Sequence, residues 1–494
     1  MSRQTIHLKK EVLVRIIKAF FSGDFINNIR LVPFQMRPKG SDVSYRCCIY
    51  KERAVLRDRI ISGLGFGIEN DDETLDLGIY AEQALKREKP EDIPLTVIET
   101  ACKGCTPNRI HITDLCQGCV ARPCQSTCRF GAISIINGKS VIDGAKCKNC
   151  KMCVPVCPYN AIVKISVPCE DSCPVAAIQK NAHGFAQIDY DKCITCGKCI
   201  IGCPFGAVHE KSQLIDVLKN LNKKIIALIA PSIVGQFPGN IYQLKSAMLK
   251  LGFSDVYEVA QGADITTKNE ALEFKERLEK GEPLMTTSCC AGYFNFVEKH
   301  LPEIKRFVSD TKTPLYYIAE QAKARHPDAV TVFISPCTAK KSEAHACANV
   351  DYVLNYEELG AVFVALNMEI TACEQVPFDT ESSREGRAFG ITGGVAAAVA
   401  SISEIRVNPC IINGLNKDSI KRLRQIAREG RCPPADCAPQ DASRAPDAAS
   451  GCNLVEVMCC ENGCIGGNAA IAPEKISKKA LADFLKMTPA ADQP

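Results

Sequence analysis

The chain has 494 residues, which corresponds to about three domains at a typical size of about 150 residues each. Hydrophobic residues make up 46% of it and charged residues 23%, a balance typical of folded globular proteins, so wholesale disorder is excluded. Lysine and arginine total 60 against 56 aspartates and glutamates, and the net charge of +4 is too small to predict a nucleic-acid partner. The unusual number is the 30 cysteines.

The sequence carries no signal for export or for membrane insertion. Charges are spread through the first twenty residues, whereas a secretory signal needs an uninterrupted apolar core. The uncharged stretch at residues 388–403 is shorter than the ~20 apolar residues that span a bilayer. We therefore expect a cytoplasmic protein with no membrane partner. In that reducing compartment cysteines bind metal more often than they form disulfides.

Residues 1–100 predict an N-terminal helical region. The runs KKEVLVRIIKAFF and KERAVLRDRIISGLGF place apolar residues at helical spacing. Nothing in this region indicates a reaction, and we expect the adjacent Cys47 and Cys48 to serve ordinary packing.

Residues 101–210 predict a ferredoxin-like domain that binds 4Fe-4S clusters. Two segments repeat the spacing C-x2-C-x2-C-x3-C-P. Three thiolates on one tight loop bind three irons of one cube, and the fourth reaches a neighbouring cube. Zinc sites also use C-x2-C pairs, but they need neither the repeat nor the following proline. The ligands predicted by the two repeats are Cys147, Cys150, Cys153, Cys157, Cys193, Cys196, Cys199 and Cys203.

Two further cysteine groups complete this window. One is a C-x2-C-x4-C-x3-C variant that consists of Cys116, Cys119, Cys124 and Cys128. The other shows only the last two positions of a motif, Cys169 and Cys173, whose missing pair could be Cys102 and Cys105. Sixteen cysteines would then supply four cubes, and we expect three to four accessory clusters. The spacing leaves open whether Cys157 joins the Cys116 group or the Cys193 group.

Residues 220–494 predict an α/β domain. Short apolar, β-branched runs such as KKIIALIAPSIV and DAVTVFISPC alternate with segments of helical spacing such as NEALEFKERLEKG. On that last segment Glu270, Glu273 and Arg277 share one helix face, a pattern that by itself is usually a solvated surface. The Ala-, Pro- and Asp-rich residues 428–451 predict an exposed loop that carries Cys432 and Cys437 without a motif.

A second cysteine set lies in three short segments of this domain, TTSCCAGY, SPCTAKKSE and EVMCCENGCIGG. They are far apart in the sequence. Together they offer Cys290, Cys337, Cys460 and Cys464 as four thiolates, enough for one more 4Fe-4S cube.

These three segments resemble the signature loops of the FeFe hydrogenases, and the ferredoxin-like window resembles the N-terminal extension of that family. The resemblance implies a two-lobed α/β catalytic domain with an H-cluster between the lobes. This cofactor is a 4Fe-4S cube joined through one cysteine to a two-iron subsite that carries CO, cyanide and azadithiolate. The implied activity is reversible reduction of protons to hydrogen in anaerobic metabolism. The implied partners are ferredoxin or a similar electron carrier and dedicated maturation proteins.

The resemblance also implies roles for individual residues. Cys290, Cys337, Cys460 and Cys464 would bind the cube, with Cys464 bridging to the two-iron subsite. Lys340 would donate to a cyanide, which suits the three donors of an ammonium group. Its neighbour Lys341 is expected to be solvated. The implied proton relay consists of Cys289, Glu270, Ser309, Glu273 and Arg277. The residues expected to line the cofactor are Pro231, Ser232, Phe389, Gly390 and Met458.

Several positions depart from the family pattern. Ala291 and Tyr293 stand where the first loop usually has Pro and Trp, and Ser335 stands where the second usually begins with Met. These departures indicate a divergent branch of monomeric, ferredoxin-linked enzymes. Two alternatives remain open. One is a hydrogenase-like iron–sulfur assembly factor, against which Cys289, Lys340 and Glu343 argue. The other is a redox or hydrogen sensor without efficient turnover, which Ser335 favours.

Overall fold

The structure is a computed structural model that describes residues 3–41, 45–69, 71–102, 105, 109–432 and 451–490. Its N-terminal region is helical, as the apolar spacing predicts. In the first helix Val12, Ile16 and Ile17 are buried, while the charged side chains between them reach the surface. The helices of this region are α1 (Arg3–Phe21), α2 (Phe25–Met36), α3 (Ile49–Gly63) and α4 (Leu77–Lys86).

The cysteine-rich window consists of short strands and single helical turns. Its elements are β1 (Leu95–Val97), β2 (Ile110–Ile112), α5 (Pro123–Thr127), β3 (Ile133–Ile136), β4 (Lys139–Ile142), β5 (Ile162–Lys164), α6 (Pro168–Ser172), β6 (Ile178–Lys180), β7 (Ala186–Ile188), α7 (Lys198–Gly202) and β8 (Val208–Glu210). All four pairings are antiparallel: β2 with β5, β3 with β4, β1 with β8 and β6 with β7.

These pairings divide the window into two nested modules. We call the unit of β2–β5 module A and the unit of β1, β6, β7 and β8 module B. In each module one pair joins the outer strands and the other pair is a hairpin between them. Module A therefore lies, in sequence, inside module B. This insertion separates Cys102 and Cys105, which follow β1, from Cys169 and Cys173, which precede β6.

The rest of the chain contains two parallel sheets. The elements up to residue 365 are α8 (Leu214–Leu218), β9 (Ile225–Ile229), α9 (Ile241–Leu251), β10 (Asp255–Glu258), α10 (Val259–Glu279), β11 (Met285–Thr286), α11 (Ala291–His300), α12 (Pro314–Arg325), β12 (Val330–Ile334), α13 (Ala339–His345), β13 (Tyr352–Leu354) and α14 (Tyr356–Ala365). The first sheet has the strand order β10-β9-β12-β13, and every pair is parallel. All of β9 is buried, as expected for a parallel strand covered on both faces.

The second sheet has the order β11-β15-β14 and is also parallel. Its remaining elements are α15 (Arg384–Ala388), α16 (Gly394–Ile402), β14 (Pro409–Asn413), α17 (Lys417–Glu429), β15 (Leu454–Met458) and α18 (Glu474–Met487). Residues 225–458 thus follow the α/β pattern that the alternating runs predict. The carboxyl ends of parallel strands share one edge of a sheet, and loops at that edge commonly form binding sites.

The N-terminal helices share a hydrophobic core with the first sheet. Ile16 and Ile60 lie in the same buried cluster as Ile225 and Ile334. Lys9 of α1 forms an ion pair with Glu357 of α14. The first hundred residues therefore support the α/β region directly. Within the described ranges, no helix combines the length and the apolar character that crossing a bilayer requires.

Candidate active site

Four thiols from three loops meet beyond the carboxyl ends of parallel strands. Cys290 follows β11 and caps the start of α11. Cys337 lies between β12 and α13, and the loop after β15 carries Cys460 and Cys464. Cys290 and Cys460 follow strands of the second sheet and Cys337 follows a strand of the first, so loops at the carboxyl ends of both sheets bring three distant segments together.

The pKa values of these thiols reflect their proximity. Burial raises the pKa of Cys337 to about 12, and the neighbouring Cys290 and Cys464 add to the rise. Burial, followed by the charges of Cys337, Cys290 and Cys464, also raises the pKa of Cys460 well above its ordinary value. Four partly buried thiols that repel one another's charge form a donor set suited to a 4Fe-4S cube, since bound iron favours the thiolate form.

One wall beside these thiols is apolar and closely packed. Cys289, Phe389 and Met458 belong to one buried cluster. A Cβ at Gly390 would meet the backbone nitrogen of Ser232 at 3.0 Å, so a side chain there would push these two closely approaching loops apart. The 3-10 turn Pro231–Ile233 places Ser232 fully inside, where its hydroxyl lies 2.8 Å from that of Tyr356. The loops expected to line the cofactor therefore meet at this wall.

Lys340 brings a positive charge to the same place. Its ammonium group forms an ion pair with Glu343 and donates to the backbone oxygen of Cys289 at 3.3 Å. Burial alone would lower the pKa of Lys340, but the Glu343 carboxylate raises it overall, so the lysine stays charged. A partly buried ammonium beside the four thiols is suited to hold an anionic ligand.

Glu270 on α10 is a fully buried carboxyl group next to Cys289. Its Oε1 accepts from the Ser288 amide at 3.4 Å, and its Oε2 has no hydrogen-bond partner among the described residues. Burial raises the pKa of Glu270 to about 8. Burial, followed by the charge of Glu270, raises the pKa of Cys289 well above its ordinary value. Both groups therefore carry protons near neutral pH.

Glu273 continues this path toward the surface. It accepts a hydrogen bond of 2.7 Å from Ser309 Oγ and one of 2.8 Å from Arg277 Nε. Burial alone would raise the pKa of Glu273, but the hydrogen bond from Ser309 and the others lower it overall, so this carboxylate is ionised. Arg277 in turn pairs with Asp310, whose side chain is 94% exposed. The residues of the expected relay thus form a line from Cys289 to solvent.

Glu456 is a buried carboxyl group that the motif analysis misses. It lies in β15 and accepts hydrogen bonds of 2.6 Å and 2.8 Å from the amides of Gly393 and Ala396 at the start of α16. Burial raises its pKa to about 7, although these amide bonds partly oppose the rise. The charge of Glu456 also raises the pKa values of Cys289 and Cys464, although burial and other neighbouring charges have larger effects. A lone glutamate in the otherwise apolar run LVEVM is the sequence signal for it.

The two modules arrange their cysteines in a crosswise manner. In module B, burial and then the charges of Cys203, Cys102 and Cys105 raise the pKa of Cys169 to about 12. Burial raises the pKa of Cys199 well above its ordinary value, and Cys196, Cys193 and Cys173 add to the rise. Cys203, the last cysteine of the second motif, therefore lies with Cys169, and Cys173 lies with the Cys193 group. Cys102 and Cys105 lie beside Cys169, as expected for the missing pair of its motif.

Module A repeats the arrangement. Burial raises the pKa of Cys153, and the next causes that raise it are the charges of Cys147 and Cys128. Cys157 packs in the apolar cluster of Cys124, whereas the Cys193 group lies in a different cluster. This placement favours the Cys116 group for Cys157, one of the two options that the spacing leaves open.

Module B touches the candidate active site. Cys196 and Cys459 share a hydrogen bond, which is the main cause that lowers the pKa of Cys196. Cys459 directly precedes the cube candidate Cys460. A cleft of about 870 Å³ is lined by Cys173, Cys196 and Cys460 among others. Cys196 therefore links the cysteine-rich window to Cys459, the residue before Cys460.

Three expectations from the sequence are wrong. Lys341 is not solvated: its side chain is 2% exposed and pairs with Glu210 in the core. Cys47 and Cys48 are exposed, so they do not serve packing. Cys432, placed by composition in an exposed loop, is 2% exposed because it packs under the second sheet. Cys437 lies outside the described residues.

Comparison with known proteins agrees with this arrangement. The family model for the iron only hydrogenase large subunit, C-terminal domain, matches residues 223–468. The model for the LdpA Fe-S cluster-binding domain matches residues 163–214, and a 4Fe-4S binding domain matches residues 140–163. The chain is a divergent member of the FeFe hydrogenase family. Its membership confirms the resemblance that the three cysteine loops suggest.

Relatives of this FeFe hydrogenase family member include hydrogenases and an iron–sulfur assembly factor. Iron hydrogenase 1 of Clostridium pasteurianum is 27% identical over 316 residues, which cover 54% of this chain and 54% of the relative. The NADP-reducing hydrogenase subunit HndD of Solidesulfovibrio fructosivorans is 26% identical over 368 residues, 65% of this chain and 55% of the relative. The cytosolic Fe-S cluster assembly factor NAR1 of Eremothecium gossypii is 23% identical over 287 residues, 46% of this chain and 62% of the relative.

The chain spans about half the length of the first two of these relatives. Among solved structures, a variant of the FeFe hydrogenase HydA1 from Chlamydomonas reinhardtii matches with a TM-score of 0.43 and 19% identity. That match covers 55% of this chain and 88% of the other chain.

Proposed function

We propose that this chain catalyses the reversible reduction of protons to hydrogen, with ferredoxin or a similar low-potential carrier as its electron partner. The observation that carries the proposal is the line of titratable groups that leads from Cys289, beside the four clustered thiols, to solvent. An assembly factor or an electron carrier that only holds a cube has no need of a proton route. Here Cys289 and Glu270 are buried, and Arg277 with Asp310 completes the line to the surface.

Cys290, Cys337, Cys460 and Cys464 would hold the cube of an H-cluster, and Lys340 would donate to an anionic ligand of its two-iron part. When bound, this cofactor supplies the site at which two electrons and two protons combine. The donor set fits it in two respects: the thiols are clustered and largely shielded from solvent, and Lys340 remains charged.

The side chains of the relay would move protons in single short steps. Burial disfavours the thiolate form of Cys289, so this side chain keeps its proton at neutral pH. It can give that proton to a bound cofactor whose affinity for the proton is higher. Glu270, with a pKa of about 8, can then reprotonate Cys289. A group that titrates near the working pH both donates and accepts protons efficiently. Ser309 would pass the next proton from Glu273, whose carboxylate exchanges with solvent beside Arg277.

The cysteine-rich window would carry electrons to this site through four 4Fe-4S clusters. The crosswise arrangement assigns two clusters to each module. In module A the ligand sets are Cys116, Cys119, Cys124 with Cys157, and Cys147, Cys150, Cys153 with Cys128. In module B they are Cys102, Cys105, Cys169 with Cys203, and Cys193, Cys196, Cys199 with Cys173. The last of these clusters is the one that passes electrons to the catalytic cube, since Cys196 contacts Cys459.

Backbone amides support this assignment at three of the crossing cysteines. Ala132 donates to Cys128 Sγ at 3.4 Å, Ala177 to Cys173 Sγ at 3.2 Å and Ala207 to Cys203 Sγ at 3.4 Å. In each case the donating amide lies four residues after the cysteine, and this spacing occurs in both modules. Amide hydrogen bonds to cluster sulfurs stabilise the reduced cluster and raise its potential.

The decisive experiment is infrared spectroscopy of chain produced together with H-cluster maturation proteins, with chain produced without them as the control. We expect CO and cyanide stretching bands only in the matured sample, along with hydrogen evolution from reduced ferredoxin. Matured chain that holds its full iron but shows no such bands contradicts the proposal and favours an assembly factor. Bands without turnover contradict the enzymatic part of it and favour a sensor.

A further inference from the structure

Three cysteines outside both cofactor sets converge at the opposite end of β15. Cys410 lies in β14, Cys432 follows the Gly430 cap of α17, and Cys452 precedes β15. Their Sγ atoms all lie within 4.8 Å of one another. All three side chains are buried, at 0%, 2% and 3% exposure. We call these residues the thiol triad.

The spacing of the triad fits a single metal ion. Each cysteine of a 4Fe-4S cube binds a different iron, so cube sulfurs lie farther apart than sulfurs that share one ion. Among the described residues, no other three cysteine, histidine or acidic ligand atoms lie within 4.8 Å of one another, the proposed cube ligands included. Around one zinc ion, Zn–S bonds of about 2.3 Å place tetrahedral sulfurs about 3.8 Å apart. The triad is close to that arrangement before any ion is bound.

The surroundings of the triad are suited to a cation held by thiolates. The triad lies in an apolar cluster with Leu423, Ile426 and Val455, where an unpaired charge is costly. Arg422 Nη2 lies 3.7 Å from Cys410 Sγ, so its positive charge would stabilise the thiolate form of Cys410. Soft thiolate donors in a tetrahedral set favour zinc over the hard cations.

We propose that the reduced chain binds one Zn²⁺ through Cys410, Cys432 and Cys452, with a fourth donor to complete the tetrahedron. Cys452 is disulfide-bonded in this structure. A dithiol reductant would supply two electrons and two protons to cleave that bond to two thiols. Zn²⁺ would then displace the proton from each ligating thiol. Cluster thiolates elsewhere in the same chain require the same reducing conditions.

The site would have a structural role. Six residues lie between Cys452 and Cys459, and five of them form the extended strand β15, which rises about 3.3 Å per residue. The triad therefore cannot serve the catalytic cube as a ligand. It joins β14, the end of α17 and the start of β15, the strand whose other end carries Cys460 and Cys464. A bound zinc ion would fix this strand at the end opposite the active site.

The test measures zinc and iron in full-length chain that is produced anaerobically with zinc supplied and purified in the presence of a dithiol. We expect about one zinc per wild-type chain, and X-ray absorption at the zinc edge should show at least three sulfurs at about 2.3 Å. Cys410→Ser and Cys432→Ser should lose the zinc and keep the iron. Cys373→Ser, which removes another buried thiol, is the matched control and should keep both metals.

Because a serine variant may fail to fold, Cys432→His provides a second measurement. Histidine is also a zinc ligand, so this variant should retain zinc with one nitrogen at about 2.0–2.1 Å in place of a sulfur. Three results would overturn the proposal: wild-type chain without zinc, zinc that persists in both serine variants, or a loss of about four irons instead of zinc. The last would assign the triad to a further cluster. None of these results depends on hydrogen turnover.

Discussion

The cysteine-rich window and the active site both gather thiols for iron, but they do so in opposite ways. In the window most ligands of a cube lie on one short loop, and Cys150 remains exposed. In the active site the ligands come from three loops up to 174 residues apart (Cys290 to Cys464), and burial raises the pKa of Cys464 to about 11. For the proposed function, the window needs only to move electrons between clusters. The candidate active site would also have to exclude water and admit protons, and only long-range folding provides such an enclosure.

The largest effect should come from the proton route, which only the active site has. Cys289→Ala removes the thiol nearest the four-thiol site, and we expect hydrogen turnover to fall by roughly 10²–10⁴-fold, the range typical of a lost proton-transfer group. The infrared bands of the matured chain should stay. Cys373→Ser should leave both properties unchanged. Wild-type turnover in the Cys289 variant would contradict the relay.

Lys340→Asn should affect the cofactor itself. Among the described residues, Lys340 has the only ammonium group that contacts the Cys289 backbone. Its removal should lower retention of the two-iron part by about 10–100-fold, as for other residues that support bound metal. Iron in the window should be unchanged. Lys268→Asn, at an exposed position of α10, is the control. Equal infrared intensity in both variants would exclude a role for Lys340 in holding the cofactor.

The two modules of the window can be separated by one cysteine each. Cys173→Ser in module B and Cys157→Ser in module A should each cost about four irons. Only the first should slow ferredoxin-driven turnover by about tenfold, because module B contacts the active site through Cys196 and Cys459. Iron analysis and a ferredoxin-coupled assay measure both quantities. The same loss of turnover in both variants would show that electrons pass through the modules in series.

The smallest effect concerns stability and pH. Glu270 has a folded pKa of about 8, above its ordinary value of 4.5, so the stabilisation it gives is complete below about pH 4.5 and is lost as the pH rises through 8. Glu270→Gln does not titrate. Its Tm should therefore exceed that of the wild type at pH 9 by roughly 5 °C more than at pH 5. Thermal unfolding at the two pH values measures this difference, and equal shifts at both would contradict the raised pKa.

Local spacing made the iron–sulfur chemistry readable from the sequence. A C-x2-C-x2-C-x3-C repeat binds iron wherever it is placed, because its ligands share one loop. The glutamates of α10 were predictable in the same way, since residues at i and i+3 share a helix face. The burial of Glu270 was not: the pattern alone favours a solvated surface, and only tertiary packing encloses this side chain.

Sequence alone determined that this chain belongs with the iron–sulfur proteins, where its main cysteine groups lie and which three loops carry the second set. The tertiary structure decided the rest. It nested one cluster module inside the other and thereby joined Cys102 and Cys105 to their partners. It also buried Lys341 and Glu456, and it brought Cys410, Cys432 and Cys452 together. These features depend on contacts between distant segments, and such contacts follow from how sheets and helices pack, which no local pattern of residues records.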